Sequence, residues 1–282
     1  MKYIKTKKHQ IGQAMVEHII IWPIVLMLTL GTIQLSLMYR AKSTLNDATF
    51  RAAREGALNN AFKEPMRRKL AEAMAPLELK RNPGVAAYAY AVAVSRSLIF
   101  NYNGALGASN RGGGRIDIIS PTQEIFTRFA RDSFVLIPCP NRNANCPRNS
   151  SMGESRQRVR QIANDNLNVR RDNSIRLSSA GQNVDINLQD ANLLKIRSHW
   201  CYGLEVPFVN RMIYGVVTSL FSRPGPHTRA CQIKTNLLSR GGVTRAYYVP
   251  ISSDSIIRMQ SPVRCDTNPR RPDYRNCNNF RI

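Results

Sequence analysis

Three groups of residues have the types and spacing to do chemistry. The first is Gly12-Gln13 with Glu17, which stands at the lip of a long apolar run. An ionised carboxylate beside an apolar phase is unfavourable, by ~2.5–3.5 kcal/mol on insertion scales for mid-membrane charges, so it needs a partner. If the chain is cut between Gly12 and Gln13, Gln13 presents a free α-amine and Glu17 becomes the fifth residue. An ammonium and a carboxylate at that spacing lie within one helical turn and neutralise each other. The pairing works within one chain or between neighbouring helices, where it would also set their axial register. Two alternatives stay open: an uncut anchor whose Glu17 rests among headgroups, and cyclisation of Gln13, which would delete the positive partner.

The second group is six cysteines, Cys139, Cys146, Cys201, Cys231, Cys265 and Cys277, all far from the apolar run. An even count beyond a membrane segment suggests disulfides in an oxidising compartment. No CxxC pair occurs and His9, His18, His199 and His227 are scattered, so no metal site is expected. Fifteen connectivities are open to six cysteines; the reading adopted is Cys139–Cys146 and Cys265–Cys277 as local clips. Cys201 and Cys231 then link a strand to the loop after its following helix. The third group is His199 and Cys201, same-facing neighbours on one strand and so a nucleophile pair in form. An oxidised Cys201 would be inert. HExxH, GxSxG and P-loop patterns are missing, and Gly112–Gly114 precede no GK[ST], so they read as a turn. No catalytic residue and no cofactor is expected; the chain reads as a structural protein, not an enzyme.

The elements that must position these groups begin with the apolar run. Ile19–Tyr39 carries no formal charge, and at ~1.5 Å rise per residue it reaches about 32 Å, enough for a hydrocarbon core of roughly 30 Å. It exceeds the h-region of a secretory signal and is followed by a poor cleavage site. Ala41, Leu45, Ala48, Ala52 and Phe62 continue one helical face, with Arg40, Asp47, Arg51, Arg54 and Glu55 mostly off it. One helix is therefore expected from about Ala14 to Asn60, bent or loosened at Pro23, with Gly31 a second soft point. Four lysines in the first eight residues favour a cytoplasmic amino terminus. The cysteines agree, placing the carboxy-terminal body in the periplasm. The organisation expected is 1–12 as a basic leader, 13–62 as the long helix with its span at about 19–39, and 63–282 as an extracytoplasmic domain.

The chain carries 41 Lys+Arg against 18 Asp+Glu, and a net +19 of its formal +23 falls in residues 41–282. Such a field attracts DNA or an anionic surface. The basic residues are not interleaved with aromatics as stacking platforms require, so most read as solvated surface. Within the body, Met66, Leu70, Met74 and Leu77 mark an amphipathic helix between Pro65 and Pro76. Residues 84–100 read as helix on alanine content. Strands are expected around Ile116–Ile119 and over "DSFVLIP", followed by a polar, exposed and partly mobile stretch from Asn141 to Gly181. In "NLLKIRSHWCYGLEV", Leu194, Ile196, Ser198, Trp200 and Tyr202 alternate against Lys195, Arg197 and His199, which is a half-buried strand. A helix should follow Pro207, and "RAYYVPISSDSIIRMQSP" should return as a strand or bent pair. The fold class is α+β, a long amino-terminal helix with a membrane half and an outer half, packed on a small antiparallel sheet with disulfides.

A basic leader, a glycine, a glutamate and an apolar run resemble a type IV prepilin amino terminus. The wording "GQAMVEHIIIWPIVLMLTLGTIQLSLMYRAKSTLNDATFRAAREGAL" is similar to TadE-like proteins of the Tad (Flp) pilus system. The matches are Gly12, Gln13, Val16, Glu17, Pro23, Tyr39, Ala52, Ala53, Arg54, Glu55, Gly56 and Ala57. "DANLLKIRSHWCYGLEVPFVNRMI" and "YYVPISSDSIIRMQSPV" resemble the body of longer relatives. The resemblance implies cutting by a prepilin peptidase, extraction through an inner-membrane assembly platform, and incorporation as a minor pilin or pseudopilin among other subunits. The D-x-S-x-S metal motif of TadG-type relatives is missing, so that activity is not carried over.

Overall fold

The structure is a computed structural model, and it describes residues 11–78, 114–138, 154–165, 174–179, 182–220, 226–240 and 247–265. Helix α1 (Ile11–Leu58) runs through Pro23 without a break. Its two halves have different surroundings. Ile19, Trp22 and Leu28 are 72%, 65% and 66% exposed, whereas Ala41, Leu45, Ala48, Ala52 and Ala53 are fully buried. The buried set recurs every three to four residues, one stripe of a helix. Because four of these five are alanines, the helix axis can approach a flat sheet closely.

That sheet has the order β1 (Gly114–Ser120), β6 (Leu193–Leu204), β7 (Tyr247–Arg258), all antiparallel. Strand β6 is central and pairs along its length with β7, from Leu193↔Arg258 to Leu204↔Tyr247. Leu194, Ile196, Ser198, Trp200, Tyr202 and Leu204 of β6 are buried, as its alternation requires. Two polar ties cross from α1 to the sheet. Thr49 and Ser198 share a buried hydroxyl contact, and Lys42 Nζ donates to the Ser252 carbonyl. Helix α2 (Lys63–Glu78) folds back on α1 and buries Met66, Leu70 and Met74 in the same core.

A second sheet has the order β2 (Ala130–Pro138), β3 (Glu154–Ile162), β8 (Val263–Cys265). Helix α3 (Gln123–Phe129), with Thr122 capping its start, seats Ile125 and Phe126 in the shared core. A hairpin of β4 (Ile175–Ser179) and β5 (Gln182–Ile186) leads to the short α4 (Leu188–Ala191), closed by an Asn187/Asp190 capping box. Helix α5 (Val209–Leu220) buries Val209 and leaves Met212 and Val216 exposed. Helix α6 (Pro226–Arg240) lies against β7.

The end of α1 is built as a junction. Asn60 and Ala61 adopt positive φ of 56° and 59°, and the Ala61 N–H returns to the Gly56 carbonyl (2.8 Å), the closure of a Schellman-type stop. The Ala57 carbonyl accepts from the backbone N–H groups of Gln260 and Ser261, and Asn60 Nδ2 donates to the Pro262 carbonyl at 2.7 Å. The otherwise orphaned helix end is thereby satisfied by the corner between β7 and β8.

The architecture is the expected mixed α+β one, with two corrections. The stretch Asn141–Gly181 is not simply an exposed polar loop: β3 and β4 fall in it, and Val159 and Ile162 are buried. Strand β3 is central in its sheet, with its backbone paired along its whole length to β2 and at Arg160–Ile162 to β8, so a polar sequence is held as strand by its neighbours. Cys231 lies within α6 rather than in a loop. Helix α3 and strand β5 are elements for which no expectation stood. The helix expected over 84–100 lies outside the described residues, as do Gly112 and Gly113, while Gly114 opens β1.

Gly56 is a point of close approach between α1 and its neighbours. A Cβ there would stand 2.6 Å from Met66 Sδ and 3.1 Å from Leu194 Cδ2, both in fully buried side chains. Overpacking of this kind costs ~1–3 kcal/mol, against which a better helix former such as alanine recovers up to ~1 kcal/mol. Gly56→Val should therefore lower unfolding free energy by about 2 kcal/mol or more, and Gly56→Ala by clearly less. Denaturant unfolding of the detergent-solubilised chain measures both.

Candidate functional site

Two regions gather the residues with chemical potential. The first is the uncovered half of α1. Gly12 and Gln13 lie in its first turn, and Glu17 is exposed one turn later. Pro23 sits inside the apolar stretch. The helix is long and apolar enough to cross a membrane. Covering by the body begins at Gln34, which is fully buried and whose Oε1 accepts from the Val206 N–H at 2.9 Å. Leu37 and Met38 then pack with Tyr202, Leu204 and Ile213. Covering by the body is confined to one face there, since Leu35 and Tyr39 stay exposed. Gln34 reads as polar inside an apolar run until Val206 gives it a partner.

The second region lies on the outer face of the first sheet, under α6. The structure bonds Cys201 of β6 to Cys231 of α6, with Cα atoms 5.5 Å apart. That bond removes Cys201 as a nucleophile beside His199. Cys139, Cys146 and Cys277 lie outside the described residues, and Cys265 ends β8, its backbone alone described. The proposed local clips, Cys139–Cys146 and Cys265–Cys277, thus fall outside the described residues.

The bond also decides where two histidines go. His199 precedes Cys201 by two residues on a strand and His227 precedes Cys231 by four on a helix. Each spacing puts histidine and cysteine on one face, so joining the cysteines brings the imidazoles together. Their rings stack with centroids 3.4 Å apart and an interplanar angle of 11°. Asp117 of β1 stands beside both, its Oδ2 at 3.7 Å from each Nε2. Its other oxygen accepts from Arg115 Nε at 2.5 Å. Burial, reinforced by the neighbouring His227, pushes His199 down to about 4 against the pull of Asp117. His227 is lowered too, first by burial and then by Arg115. The signal was present in the sequence as H-x-C and H-x-x-x-C, but it becomes readable only once the two cysteines are known to pair.

Positive charge elsewhere is partly matched. Arg197 holds Asp254 across the β6–β7 register through two contacts of 2.6 and 2.7 Å, which lowers the Asp254 carboxyl. Arg51 pairs with Asp47, and Arg176 with Asp185. Both pairs are exposed and add little stability.

These features define a class, an α+β body carried on one amino-terminal helix of the kind that serves as a single-pass membrane anchor. Residues 12–54 match the family model described as TadE-like protein, so that segment of the chain is similar to TadE-like proteins. No curated protein and no solved structure matches the chain. The matched segment includes Gly12, Gln13, Glu17 and most of the alanine stripe, and it stops before the body.

The disulfide closes 30 residues of chain, for which the loop-entropy relation gives ~3–4 kcal/mol. The double variant Cys201→Ala/Cys231→Ala should lose about that much unfolding free energy. It should also become more sensitive to protease within 226–240, read by the fragment masses after limited digestion.

Proposed function

We propose that this chain is a minor pilin or pseudopilin whose amino-terminal helix is cut between Gly12 and Gln13 and then packs among the helices of neighbouring subunits. The observation that carries the reading is the contrast along α1. Its outer half is sealed against its own sheet, while Ile19 to Ile33 presents large apolar side chains that its own chain leaves uncovered. Lipid covers such a surface before assembly, and the same half of other subunits covers it afterwards. Both environments are apolar, so transfer between them costs little, and the charge at Glu17 is left to discriminate. After cutting, the Gln13 amine of one subunit and the Glu17 carboxylate of its neighbour meet in low dielectric, where their attraction is strong and also fixes register.

Within this reading the body lies on the periplasmic side and is displayed along or at an end of the filament. The partners are other pilin-type subunits, a prepilin peptidase and the inner-membrane assembly platform. The role is structural, with no chemistry asked of the protein itself.

Mass spectrometry of material from pilus-producing cells tests the cut. The chain should begin at Gln13, free or cyclised; a chain retaining Met1–Gly12 overturns the reading. Glu17→Ala should leave membrane insertion unchanged and reduce filament incorporation at least tenfold, scored by immunoblot of sheared filaments against membranes. Equal incorporation would remove the charge pairing.

A further inference from the structure

We propose that Asp117, His199 and His227 form a binding site for a divalent transition-metal ion, Zn²⁺ by preference, which acts as a second staple between α6 and the first sheet. The three come from β1, β6 and α6, and one donor atom of each lies within 4.8 Å of the others. The distances discriminate between a hydrogen-bonded cluster and a metal site. A hydrogen bond to Asp117 would bring nitrogen and oxygen to ~2.7–3.2 Å, and both Nε2–Oδ2 separations are 3.7 Å. A tetrahedral zinc with ligands at ~2.0–2.2 Å holds its ligand atoms roughly 3.3–3.5 Å apart. Both separations from Asp117 are therefore too long for hydrogen bonds and within a few tenths of an ångström of the spacing between zinc ligands, and the third lies within 4.8 Å.

Other features fit the same occupant. Arg115 engages Asp117 Oδ1, leaving Oδ2 turned to the histidines; ligating carboxylates are commonly oriented by such outer partners. The Cys201–Cys231 bond fixes both histidine-bearing backbones before any ion arrives, so little chain ordering remains to oppose binding. A small cleft beside the two histidines is lined by Arg115, Trp200 and Pro250. Two imidazoles with one carboxylate favour zinc over the hard cations magnesium and calcium. Binding requires one rearrangement. The stacked rings direct their nitrogen lone pairs in parallel, so they must turn apart about χ2, a soft torsion for histidine. Arg115 and Arg197 contribute positive charge nearby and weaken the affinity relative to a cysteine-rich site. The site is thus one that fills as zinc rises, not a permanent structural centre.

The test uses the full chain in detergent with its disulfides intact. Calorimetric titration with Zn²⁺ should show one saturable equivalent, and EDTA should reverse it. His199→Gln and His227→Gln should each weaken the binding by at least ~10-fold while keeping the circular dichroism of the parent. Saturable binding that neither variant alters would assign the ion to His9, His18 or elsewhere and overturn the proposal, as would no saturable binding. A readout free of variants is the Co²⁺ complex of the parent chain. Intense visible absorption, the mark of four-coordinate cobalt, is expected, whereas the faint spectrum of six-coordinate cobalt would also overturn the site.

Discussion

Everything in this molecule depends on one helix that must be soluble in two media. Up to about Ile33, α1 offers bulky apolar side chains to its surroundings, and from Ala41 onward it offers its own sheet mainly alanines, with Leu45 among them. The change of side-chain size matters as much as the change of medium. Leucine and isoleucine give dispersion contacts to lipid or to another helix, whereas alanine lets β6 and β7 lie close. A helix that kept large residues throughout would hold the sheet away and open voids in the core. One with alanine throughout would insert poorly.

The join between the two media is managed by a few polar groups. Gln34 is buried yet accepts from the Val206 backbone, so the body meets the apolar half without leaving that N–H bare. At the far end Asn60, Ala57 and the β7–β8 corner share the helix-terminal carbonyls and amides. Between them, Thr49 with Ser198 and Lys42 with Ser252 fix the helix against rotation and sliding. Apolar packing alone tolerates slippage, because one alanine is much like the next. Directional bonds at four heights along the helix supply a register that packing lacks.

On the opposite face of the sheet, the disulfide and the histidine–aspartate cluster form a separate unit. It ties α6 to a strand whose inner face already contacts α1. The long helix, the sheet and α6 are thus layered, and a force applied to the helix would be transmitted to the outermost layer.

Much of this was legible in the residues alone. The alternation of Leu194 to Tyr202, the stripe from Ala41 to Ala52 and the run from Ile19 are local periodicities, and a period is a property of consecutive residues. The same holds for Gly12, Gln13 and Glu17, whose spacing on one helix needs no tertiary information. What local pattern could not supply was pairing. Strand β3 reads as polar loop because its stability comes from β2 and β8, far away in sequence. Gln34 reads as a defect in an apolar run because Val206 is remote. His199 and His227 read as scattered because only the bond between Cys201 and Cys231 makes them neighbours. Sequence determined which faces must be buried and which stretch is apolar enough to cross a membrane, since those follow from solvent preference. Tertiary structure decided which faces meet, because that choice rests on long-range partners whose contacts leave no periodic trace in the chain.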